Sequence, residues 1–570
     1  MNKPNDLVPQ AERFDSTLKI ELPMKRTTSN LGKVFFATLY LSVDIFVSPP
    51  AIFSQTPPAR RPNFLVIIAD DQRAETVQEA MPKTRSRIFD AGITFANGYV
   101  TTPVCTPSRS SILTGMYAAH HGVRDNETQL RFPTFVDRLH DAGYYTGLVG
   151  KYMNSWDGSP RPEFDYWIGI PADDKYYDPQ INVAGNWVTH RGYLTYLLRD
   201  YVSNFLKKAV KQSEPFCLIF APKTPHTPLQ AAPGDENLYP GLAPFRPPSF
   251  NEPEVSDKPR WLQNMPLLTT EEQQAVDSLR QKQLQMLWSL DQTIDSILDE
   301  LQTAGELDST VILYISDNGY LWGEHRLTGK VRVYEPSIRV PFAMRYPPLA
   351  QTGAVEKKIV ANIDIAPTIY QLAGLPIPKE VDGCPLPPLI SPQHKARTEI
   401  LIEGDSQSRP RFAAVHSGRY VYIDNDGDDP EFYDLIKDPE QLDNGVDNPG
   451  YAGVVKDLKN KLSNLLVGVC EPSVPPPVAF ALQQNYPNPF KNATTIRYNV
   501  RERAPVTIQI FDLQGRLVTK LVDREVEPGN YAVRFNPQAL ANGIYFYRMQ
   551  VGGPSGAVNF VQQRKLVVIQ

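Results

Sequence analysis

Two short apolar runs of this sequence are followed closely by acidic or amide side chains that could bind a cation. An Asp-Asp pair follows the run 64–69, and an Asp-Asn pair follows the run 311–315 after one serine. Apolar runs of this length are typical of buried parallel strands, whose carboxyl ends meet at the edge of the sheet where ligands usually bind. All-oxygen ligation favours Ca²⁺ or Mg²⁺ over zinc. The predicted ligands are Asp70, Asp71, Asp317 and Asn318.

A cysteine at the start of a predicted helix is the candidate nucleophile. In the segment Cys105-Thr106-Pro107-Ser108-Arg109 the proline favours a turn or a first helical turn, which places Cys105 at the helix N-terminus. Free N–H groups there attract anions, and Arg109 can clamp both the nucleophile and the metal-binding carboxylates. An isolated cysteine is more often a small buried core residue, so the position alone does not establish catalysis.

Three further side chains have the right chemistry to neutralise or protonate an anionic ester. Lys151 follows Gly150, His226 follows Pro225, and Lys330 comes shortly after the second acidic segment. A hydrolase of such an ester needs positive charge around the oxygens and an acid that protonates the departing alcohol. A lone lysine is usually solvated and a lone histidine usually packs, so each of the three is informative only together with the others.

The elements that must position these groups follow an α/β pattern from about residue 63 to residue 467. Compact apolar runs alternate with helical stretches, which is typical of a mainly parallel sheet covered on both faces. Apolar residues between 284 and 301 recur at steps of three and four and predict a helix that docks on this sheet. The proline-rich stretch 222–266 predicts a long surface excursion that either lines the substrate cleft or packs as an arm.

The two ends of the chain have a different character. Residues 1–60 carry basic residues, an apolar stretch and then small and proline residues, which predicts a signal peptide and N-terminal extension, with translation from Met24 as an alternative start. The apolar stretch is too short for a permanent transmembrane anchor. A proline-rich linker is predicted at 471–480, and 481–570 predicts a separate β-sandwich, Ig-like in class, without histidine or cysteine.

Composition excludes some classes of protein. The net charge of -5 and the lack of a basic stripe argue against a nucleic-acid binder. The chain has 4 cysteines, too few for a disulfide scaffold. If Cys105 is used for chemistry, at most one disulfide can form among Cys217, Cys384 and Cys470, and the pairing is open.

In their order along the chain, these segments resemble the formylglycine-dependent sulfatases of the alkaline phosphatase superfamily. The resemblance covers most of residues 62–468 and is most specific at the cysteine segment followed by Leu113-Thr114-Gly115. The other motifs that carry it are Asn63-Phe64-Leu65-Val66-Ile67-Ile68-Ala69-Asp70-Asp71, Gly150-Lys151, Pro225-His226, Ser316-Asp317-Asn318-Gly319, Gly323-Glu324-His325, Gly329-Lys330 and Ile338-Arg339-Val340-Pro341. It implies an alkaline-phosphatase-like catalytic domain over 61–470 with a small C-terminal subdomain.

The resemblance also implies a mechanism. A separate maturation enzyme would oxidise Cys105 to formylglycine, and its hydrated form would attack sulfur and later expel sulfate, which divides one difficult step into two. Modified Cys105 would join the metal ligands, and His226 or Lys330 would be the acid for the leaving group. The implied catalytic residues are Cys105, Arg109, Lys151, His226 and Lys330.

One departure from the commonest family pattern bears on the substrate. Many sulfatases have a histidine two residues after the lysine that corresponds to Lys151, and here Met153 stands there. The sequence then resembles the glucosamine-6-sulfatase branch, in which an asparagine follows, here Asn154. This implies a sulfated amino sugar or glycosaminoglycan as substrate. The residues implied to contact substrate are Asn154, His121 and His325, of which the first two are also candidates for the role of the missing histidine.

The C-terminal region resembles the sorting domain of type IX secretion, in Leu482 to Phe490 and in Gly543-Ile544-Tyr545-Phe546-Tyr547-Arg548. This implies export through the periplasm to the surface or medium of a Gram-negative bacterium. Two alternatives to a sulfatase stay open. One is a phosphodiesterase or phosphonate hydrolase of the same superfamily, and the other is a catalytically silent glycan-binding protein at the cell surface.

Overall fold

The computed structural model describes most of the chain beyond residue 60. The described residues are 61–172, 175–349, 353–387, 389, 397–404, 411–465, 480–485, 488–491, 493–526, 529–537, 540–552 and 558–569. The predicted signal segment 1–60, most of the predicted linker 471–480, and Cys470 lie outside them. In the described part of the chain, none of the helices combines the length and the apolar character that crossing a membrane requires.

Strands and helices alternate through the first 400 residues. The strands before residue 470 are β1 (Asn63–Ala69), β2 (Ile93–Tyr99), β3 (Tyr145–Lys151), β4 (Tyr166–Ile170), β5 (Gln180–Val183), β6 (Asn186–Thr189), β7 (Phe216–Ala221), β8 (Thr310–Ser316), β9 (Leu321–Trp322), β10 (Thr328–Gly329), β11 (Phe342–Arg345), β12 (Ala354–Ala361), β13 (Ile400–Gly404), β14 (Phe412–His416), β15 (Tyr420–Asn425) and β16 (Glu431–Asp434). The helices are α1 (Thr76–Ala80), α2 (Pro82–Thr84), α3 (Cys105–Thr114), α4 (Ala118–His121), α5 (Phe135–Asp141), α6 (Leu194–Ala209), α7 (Arg260–Gln263), α8 (Thr270–Thr303), α9 (Glu335–Ile338), α10 (Ile365–Leu372) and α11 (Ala452–Leu465). Short π and 3₁₀ turns lie at Arg85–Phe89, Asn362–Asp364 and Pro449–Tyr451.

A sheet of ten strands forms the centre of the region before residue 470. Its order is β12-β2-β11-β8-β1-β7-β3-β4-β5-β6. The five central strands, from β8 to β4, are all parallel, and the antiparallel pairs lie toward the two ends of the sheet. This confirms the predicted α/β class with a mainly parallel centre. The carboxyl ends of β8, β1, β7 and β3 consequently meet at one edge.

Both faces of the sheet are buried, which is why its central strands are continuous apolar runs. On β1, Phe64, Val66 and Ile68 belong to one hydrophobic core, whereas Leu65 and Ile67 belong to the other. Side chains of a strand point alternately to opposite faces, so a strand covered on both sides has no polar positions. Helices α6 and α8 cover the second face, and α3, α5 and α10 lie on the first.

Helix α8 is longer than the predicted helical stretch 284–301. It begins at Thr270 and ends at Thr303. The added first half is largely solvent-facing and carries no apolar stripe, so periodicity did not reveal it. A capping box holds its start, because the Thr269 hydroxyl accepts from the Glu272 N–H and the Glu272 carboxylate accepts from the Thr269 N–H.

A small antiparallel sheet, β13-β14-β15-β16, follows the main sheet and packs with α11. The Glu403 N–H at the end of β13 donates to the Thr101 carbonyl just before α3. The excursion 222–266 has one short helix, α7, and its Asn251 N–H donates to the Gly323 carbonyl at 2.7 Å. It thereby packs against the loop between β9 and β10, as an arm would.

The C-terminal region is a sandwich of two sheets with its own hydrophobic core. Its strands are β17 (Ala481–Leu482), β18 (Thr494–Val500), β19 (Ala504–Phe511), β20 (Leu517–Val526), β21 (Gly529–Phe535), β22 (Gly543–Gly552) and β23 (Val558–Val568). The sequence did not predict β20, because most of its side chains are exposed or half-buried. Among the described cysteines, Cys105 and Cys217 are free and Cys384 is in a disulfide.

Candidate active site

Four neighbouring parallel strands deliver four polar side chains to one edge of the sheet. Asp317 follows β8, Asp70 follows β1, and Lys151 ends β3. His226 lies a few residues after β7, and its N–H donates to the Lys223 carbonyl at 2.8 Å. Strand order, rather than closeness in sequence, therefore gathers these groups, which come from positions up to 247 residues apart.

Cys105 is the first residue of α3 and lies among these groups. Its side chain is buried, with Sγ 3.7 Å from Asp70 Oδ1 and 2.8 Å from Lys330 Nζ. Burial raises the pKa of the Cys105 thiol to about 12, although Lys151 and Lys330 oppose the shift. At neutral pH the unmodified sulfur therefore carries its proton, and a protonated thiol is a weak nucleophile.

Three cations and three carboxylates surround the sulfur as buried pairs. The pairs are Lys151 Nζ with Asp70 Oδ2 at 2.6 Å, Arg109 Nε with Asp317 Oδ2 at 2.8 Å, and Lys330 Nζ with Asp71 Oδ1 at 2.5 Å. Each charge has an opposite charge beside it, which offsets the cost of removing it from water. The site is therefore a preorganised field of alternating charges.

The same charges shift the pKa values of the two most deeply buried carboxyl groups, Asp70 and Asp317, in opposite directions. Burial favours the neutral form of Asp70, but the positive charges led by Lys151 outweigh it and hold the Asp70 pKa well below its usual range. Burial and the neighbouring Asp70 carboxylate raise the pKa of Asp317 despite its pairing with Arg109. Asp70 is thus the carboxylate most firmly held in its charged form, as a cation ligand needs to be.

Several acceptors are close enough to share one cation. Ligand atoms of Asp70, Asp71, Cys105 and His226 all lie within 4.8 Å of one another. Among the described residues, the buried Asn318 Oδ1 has no hydrogen-bond partner, while its Nδ2 donates to Asp71 Oδ1 at 2.7 Å. A buried carbonyl oxygen that accepts no hydrogen bond can instead coordinate a cation. The oxygen-rich set fits a hard ion such as Ca²⁺ or Mg²⁺.

The Asp71 backbone is left-handed, with φ 66°. Non-glycine residues seldom adopt this conformation, and it recurs at functional sites. The turn lets the Asp71 N–H donate to Asp317 Oδ1 at 3.2 Å, while its carboxylate contacts Lys330 and Asn318. The structure therefore brings the four predicted ligands together, although Asp317 also serves as the partner of Arg109.

His226 faces the cluster through one ring nitrogen. Its Nδ1 lies 2.7 Å from the Thr227 carbonyl, an acceptor, so Nδ1 carries a hydrogen. Its Nε2 lies 3.8 Å from Asp71 Oδ2, and the side chain is 16% exposed. The Tyr176 hydroxyl donates to the His226 carbonyl at 2.9 Å and fixes the backbone. The second ring nitrogen, Nε2, therefore faces the acidic cluster.

The three residues implied to contact substrate differ in placement. The Asn154 N–H donates to Thr106 Oγ1, next to Cys105, and among the described residues its buried Oδ1 has no partner. His121 Nδ1 accepts from the Val123 N–H and its Nε2 lies 3.1 Å from Ser111 Oγ. His325 lies 2.6 Å from Glu252 and stacks on Tyr334. Asn154 adjoins the cluster, whereas both histidines bond to groups outside it.

Sequence reasoning missed the residues that hold the Lys330 loop. Arg73 pairs with the buried Glu324 at 2.6 Å, and the Glu324 carboxylate accepts from the Trp322 N–H on β9. The Arg326 guanidinium donates to the Glu252 carbonyl in the excursion. Arg73 lies two residues after the Asp-Asp pair, so its sequence position was a signal, but its partner is 251 residues away.

A cavity of about 470 Å³ opens beside the segment that leads into α3. Thr102 and Ala118 line it on one side, and the small C-terminal sheet lines it on the other. Its charged lining residues are Arg124, Glu403, Arg411, Asp424 and Asp426. A polar cavity of this size, open to solvent, is suited to a hydrophilic ligand larger than a single ion.

Comparison with protein families gives three matches along the chain. Residues 62–375 match the sulfatase model, and 323–467 match the C-terminal model of N-sulphoglucosamine sulphohydrolase. Residues 484–563 match a secretion system C-terminal sorting domain. The first match covers more than half of the chain.

Individual proteins agree with these matches. The chain is 35% identical over 361 residues to an extracellular sulfatase homolog of Drosophila melanogaster, covering 59% of this chain and 32% of that protein. It is 31% identical over 400 residues to human N-acetylglucosamine-6-sulfatase, covering 63% of this chain and 70% of the relative. Thus it spans about a third of the length of the fly protein.

One solved structure is similar in both sequence and fold. It is of a protein in complex with its substrate D-glucosamine-2-N,6-O-disulfate, and it matches with 26% identity and a TM-score of 0.62. The match covers 71% of this chain and 97% of that chain.

Proposed function

The chain belongs to the sulfatase family, and from this premise we propose that it hydrolyses the 6-O-sulfate ester of an N-acetylglucosamine residue, free or within a glycosaminoglycan. The observation that carries the proposal is the placement of the Cys105 sulfur among three buried cation–carboxylate pairs. Such a site neutralises an anionic ester without having to reorganise.

Cys105 is the position of the proposed nucleophile. Oxidation to formylglycine by a maturation enzyme would supply an attacking oxygen that the protonated, buried thiol lacks. Lys330 Nζ, 2.8 Å from the sulfur, is placed to hold a proton and a positive charge at the attacking atom. Arg109 and Lys151 add two more charges for the sulfuryl oxygens.

Asp70, Asp71, Asp317 and Asn318 would hold a Ca²⁺ or Mg²⁺ ion, together with the modified Cys105. When bound, the ion supplies positive charge that stabilises the anionic ester and the nucleophile. The unpaired Asn318 Oδ1 and the low pKa of Asp70 support this ligand set. Lys151, Arg109 and Lys330 place positive charge beside these carboxylates and so reduce their mutual repulsion.

His226 is the proposed acid for the leaving alcohol. Because its Nδ1–H is bonded to the Thr227 carbonyl, the proton that it can transfer sits on Nε2, which faces the cluster. Met153 cannot replace the histidine of the commoner pattern, since it is buried and its sulfur lies 3.7 Å from Ser110 Oγ. Asn154, whose buried Oδ1 has no hydrogen-bond partner among the described residues, is the group that we assign to the substrate on that side.

A sugar substrate is supported by two observations. Relatives of this chain act on N-acetylglucosamine 6-sulfate by name, and the solved relative carries a sulfated glucosamine. The C-terminal sorting domain supports export by the type IX machinery of a Gram-negative bacterium, to the cell surface or the medium.

The test is sulfate release from 6-sulfated N-acetylglucosamine by full-length protein made in a host that generates formylglycine. Peptide mass analysis must find formylglycine at Cys105, and Cys105→Ala must abolish release. A phosphonate monoester is assayed in parallel. Faster turnover of that ester would favour the phosphonate hydrolase, and failure on both esters despite formylglycine would refute the proposed activity.

His226→Ala tests the assigned acid. Turnover of the sugar sulfate, whose alcohol is a poor leaving group, is expected to fall at least about 100-fold. An activated aryl sulfate needs little protonation, so its turnover should fall much less. Equal losses on the two esters would remove the acid role from His226.

A further inference from the structure

Three tryptophans form a row that leads from the interior to the free edge of the large sheet. Trp167 is buried on β4, Trp156 is half-buried above it, and Trp187 on the edge strand β6 is 47% exposed. The ring centroids are 5.2 Å apart for Trp167 and Trp156 and 5.7 Å apart for Trp156 and Trp187. An indole so exposed, next to a second one, marks a surface for a ligand with an apolar face.

The row is continuous with the active-site edge of the sheet. Strand pairing places Gly150, Gly169, Asn182 and Trp187 side by side on β3, β4, β5 and β6. Adjacent strands lie about 4.8 Å apart, so the Trp187 backbone lies roughly 14 Å from Gly150. The next residue after Gly150 is the active-site Lys151, which puts Trp187 a few sugar units from the reacting ester.

The loop between β3 and β4 joins the two places. The Asn154 N–H donates to Thr106 Oγ1, beside Cys105, and the Trp156 N–H donates to the Met153 carbonyl at 3.3 Å. A chain bound at the cluster and extended past Asn154 therefore meets Trp156 and then Trp187. A small cavity of about 50 Å³ lies along this path.

The Trp156 indole is held in place before any ligand binds. Trp156 Nε1 donates to the Ser159 carbonyl at 2.6 Å, and Asn182 Nδ2, buried on β5, donates to the Gly158 carbonyl at 3.0 Å. Gly169 makes room, because a Cβ there would lie 2.5 Å from the Trp156 ring. A rigid platform loses little conformational entropy on binding.

Polar groups surround the aromatic row. The small cavity is lined by Gln129, Met153, Ser155, Trp156, Asp157 and Arg161. A pyranose ring has an apolar face of C–H groups and a rim of hydroxyls, so it matches an indole platform with polar neighbours. Asp157 and Arg161 add charged groups of both signs, and Arg161 pairs with Glu163 at 3.3 Å.

We propose that Trp156 and Trp187 form a subsite for an internal sugar of a sulfated glycan whose terminal residue is at Cys105. The protein then prefers an oligosaccharide over a sulfated monosaccharide. This inference rests on the proposed function, because the ester at Cys105 sets where the chain begins.

The test compares two substrates with the full-length, matured protein. They are 6-sulfated N-acetylglucosamine and a glycosaminoglycan hexasaccharide that ends in the same sugar. For Trp187→Ala, the ratio of kcat/KM for the hexasaccharide to kcat/KM for the monosaccharide is expected to fall about tenfold, mainly through KM. Val188→Ala, at the neighbouring exposed position on the opposite face, should leave the ratio as in the wild type. An unchanged ratio in Trp187→Ala overturns the subsite.

A binding measurement separates this inference from the proposed function. The Cys105→Ala protein, which cannot turn over, is titrated by calorimetry with a desulfated hexasaccharide. Weakening of this binding by Trp187→Ala supports the subsite whether or not the protein releases sulfate. Normal binding together with a loss of self-association in Trp187→Ala, seen by light scattering, would mean that the tryptophan contacts a second copy and would overturn the inference.

Discussion

Around Cys105, each buried charged side chain is stabilised by an oppositely charged neighbour whose place water cannot take. Lys151 and Asp70 are fully buried, and 2.6 Å separates their charged atoms. Removal of one member leaves the other desolvated and uncompensated, which is more costly than loss of an exposed pair. Catalytic preorganisation and stability are therefore coupled in these residues.

Lys151→Met is expected to lower the free energy of unfolding by about 3 kcal/mol, because Asp70 loses its nearest cation. Urea denaturation at neutral pH measures the change. The control is Lys83→Met, which breaks the half-exposed pair with Asp295 at 2.8 Å and should cost less than about 1 kcal/mol. Similar losses in both variants would contradict the dependence on burial.

His121 makes the fold sensitive to acid. Burial, with help from the charges of His120 and Arg124, lowers the pKa of His121 to about 3. The unfolded chain binds this proton near pH 6.5, so unfolding takes up a proton between these values. The free energy of unfolding should therefore fall as the pH drops below about 6.5, by up to about 1.4 kcal/mol per pH unit from this group.

His121→Gln removes the pH-dependent contribution of His121 to the free energy of unfolding. Urea midpoints between pH 6.5 and 4.5 should decline less steeply in the variant than in the wild type, even if the variant is less stable at pH 7. Parallel declines would show that His121 takes up its proton in the folded protein, contrary to its buried contacts with Ser111 and Val123.

Among the elements, close contact between β3 and β7 fixes the position of Lys151. Gly150 has φ +123°, and a Cβ there would lie 2.0 Å from the Ala221 carbonyl oxygen. A side chain at this position must push the two strands apart just where β3 ends in the active site. This close approach requires glycine for both conformation and space.

Gly150→Ala should lower the free energy of unfolding by more than about 3 kcal/mol. It should also reduce sulfate release, since Lys151 moves with the strand. Thermal unfolding and kcat are the measurements. Gly143→Ala is the control, because Gly143 has φ +82° but no atom within 4 Å of the added Cβ, so only backbone strain applies. If Gly150→Ala lowers stability and kcat no more than Gly143→Ala does, the close contact between β3 and β7 does not determine either property.

The hairpin β9–β10 brings Lys330 to the cluster through contacts with two distant segments. Arg73, Glu252 and Ser249 hold its loop from the first strand and from the excursion. The excursion therefore supports the candidate site through these contacts, and it also carries His226, whose ligand atom lies within 4.8 Å of the Cys105 sulfur.

For the whole molecule, the separate hydrophobic core of the sandwich predicts that catalysis does not require it. A chain that ends at residue 470 should keep kcat for a sulfated monosaccharide within about twofold, because every residue of the proposed site precedes residue 470. It should fail to leave a host that has the type IX machinery. Sulfate release is assayed on purified protein and in culture medium. Export of the truncated chain would remove the sorting role, and a large loss of kcat would contradict independent folding.

Sequence alone determined the fold class and the family, and it identified the candidate groups for the chemistry. Apolar runs such as 64–69 are local signals of strands buried on both faces, and polar residues at their carboxyl ends mark the ligand edge. The cysteine motif also predicted the start of α3, because proline and glycine act on nearby backbone. These features depend on residues adjacent in the chain, which is why they can be read from it.

Only the tertiary structure decided which group contacts which. The pairings of Arg109 with Asp317 and of Lys330 with Asp71, the support of Glu324 by Arg73, and the confinement of His121 join residues from distant strands. The tryptophan row likewise arises from pairing across four strands, since the register of β3 to β6 aligns Trp187 with Gly150. Sequence spacing cannot encode these distances, because strand order and register are set by packing of the entire core.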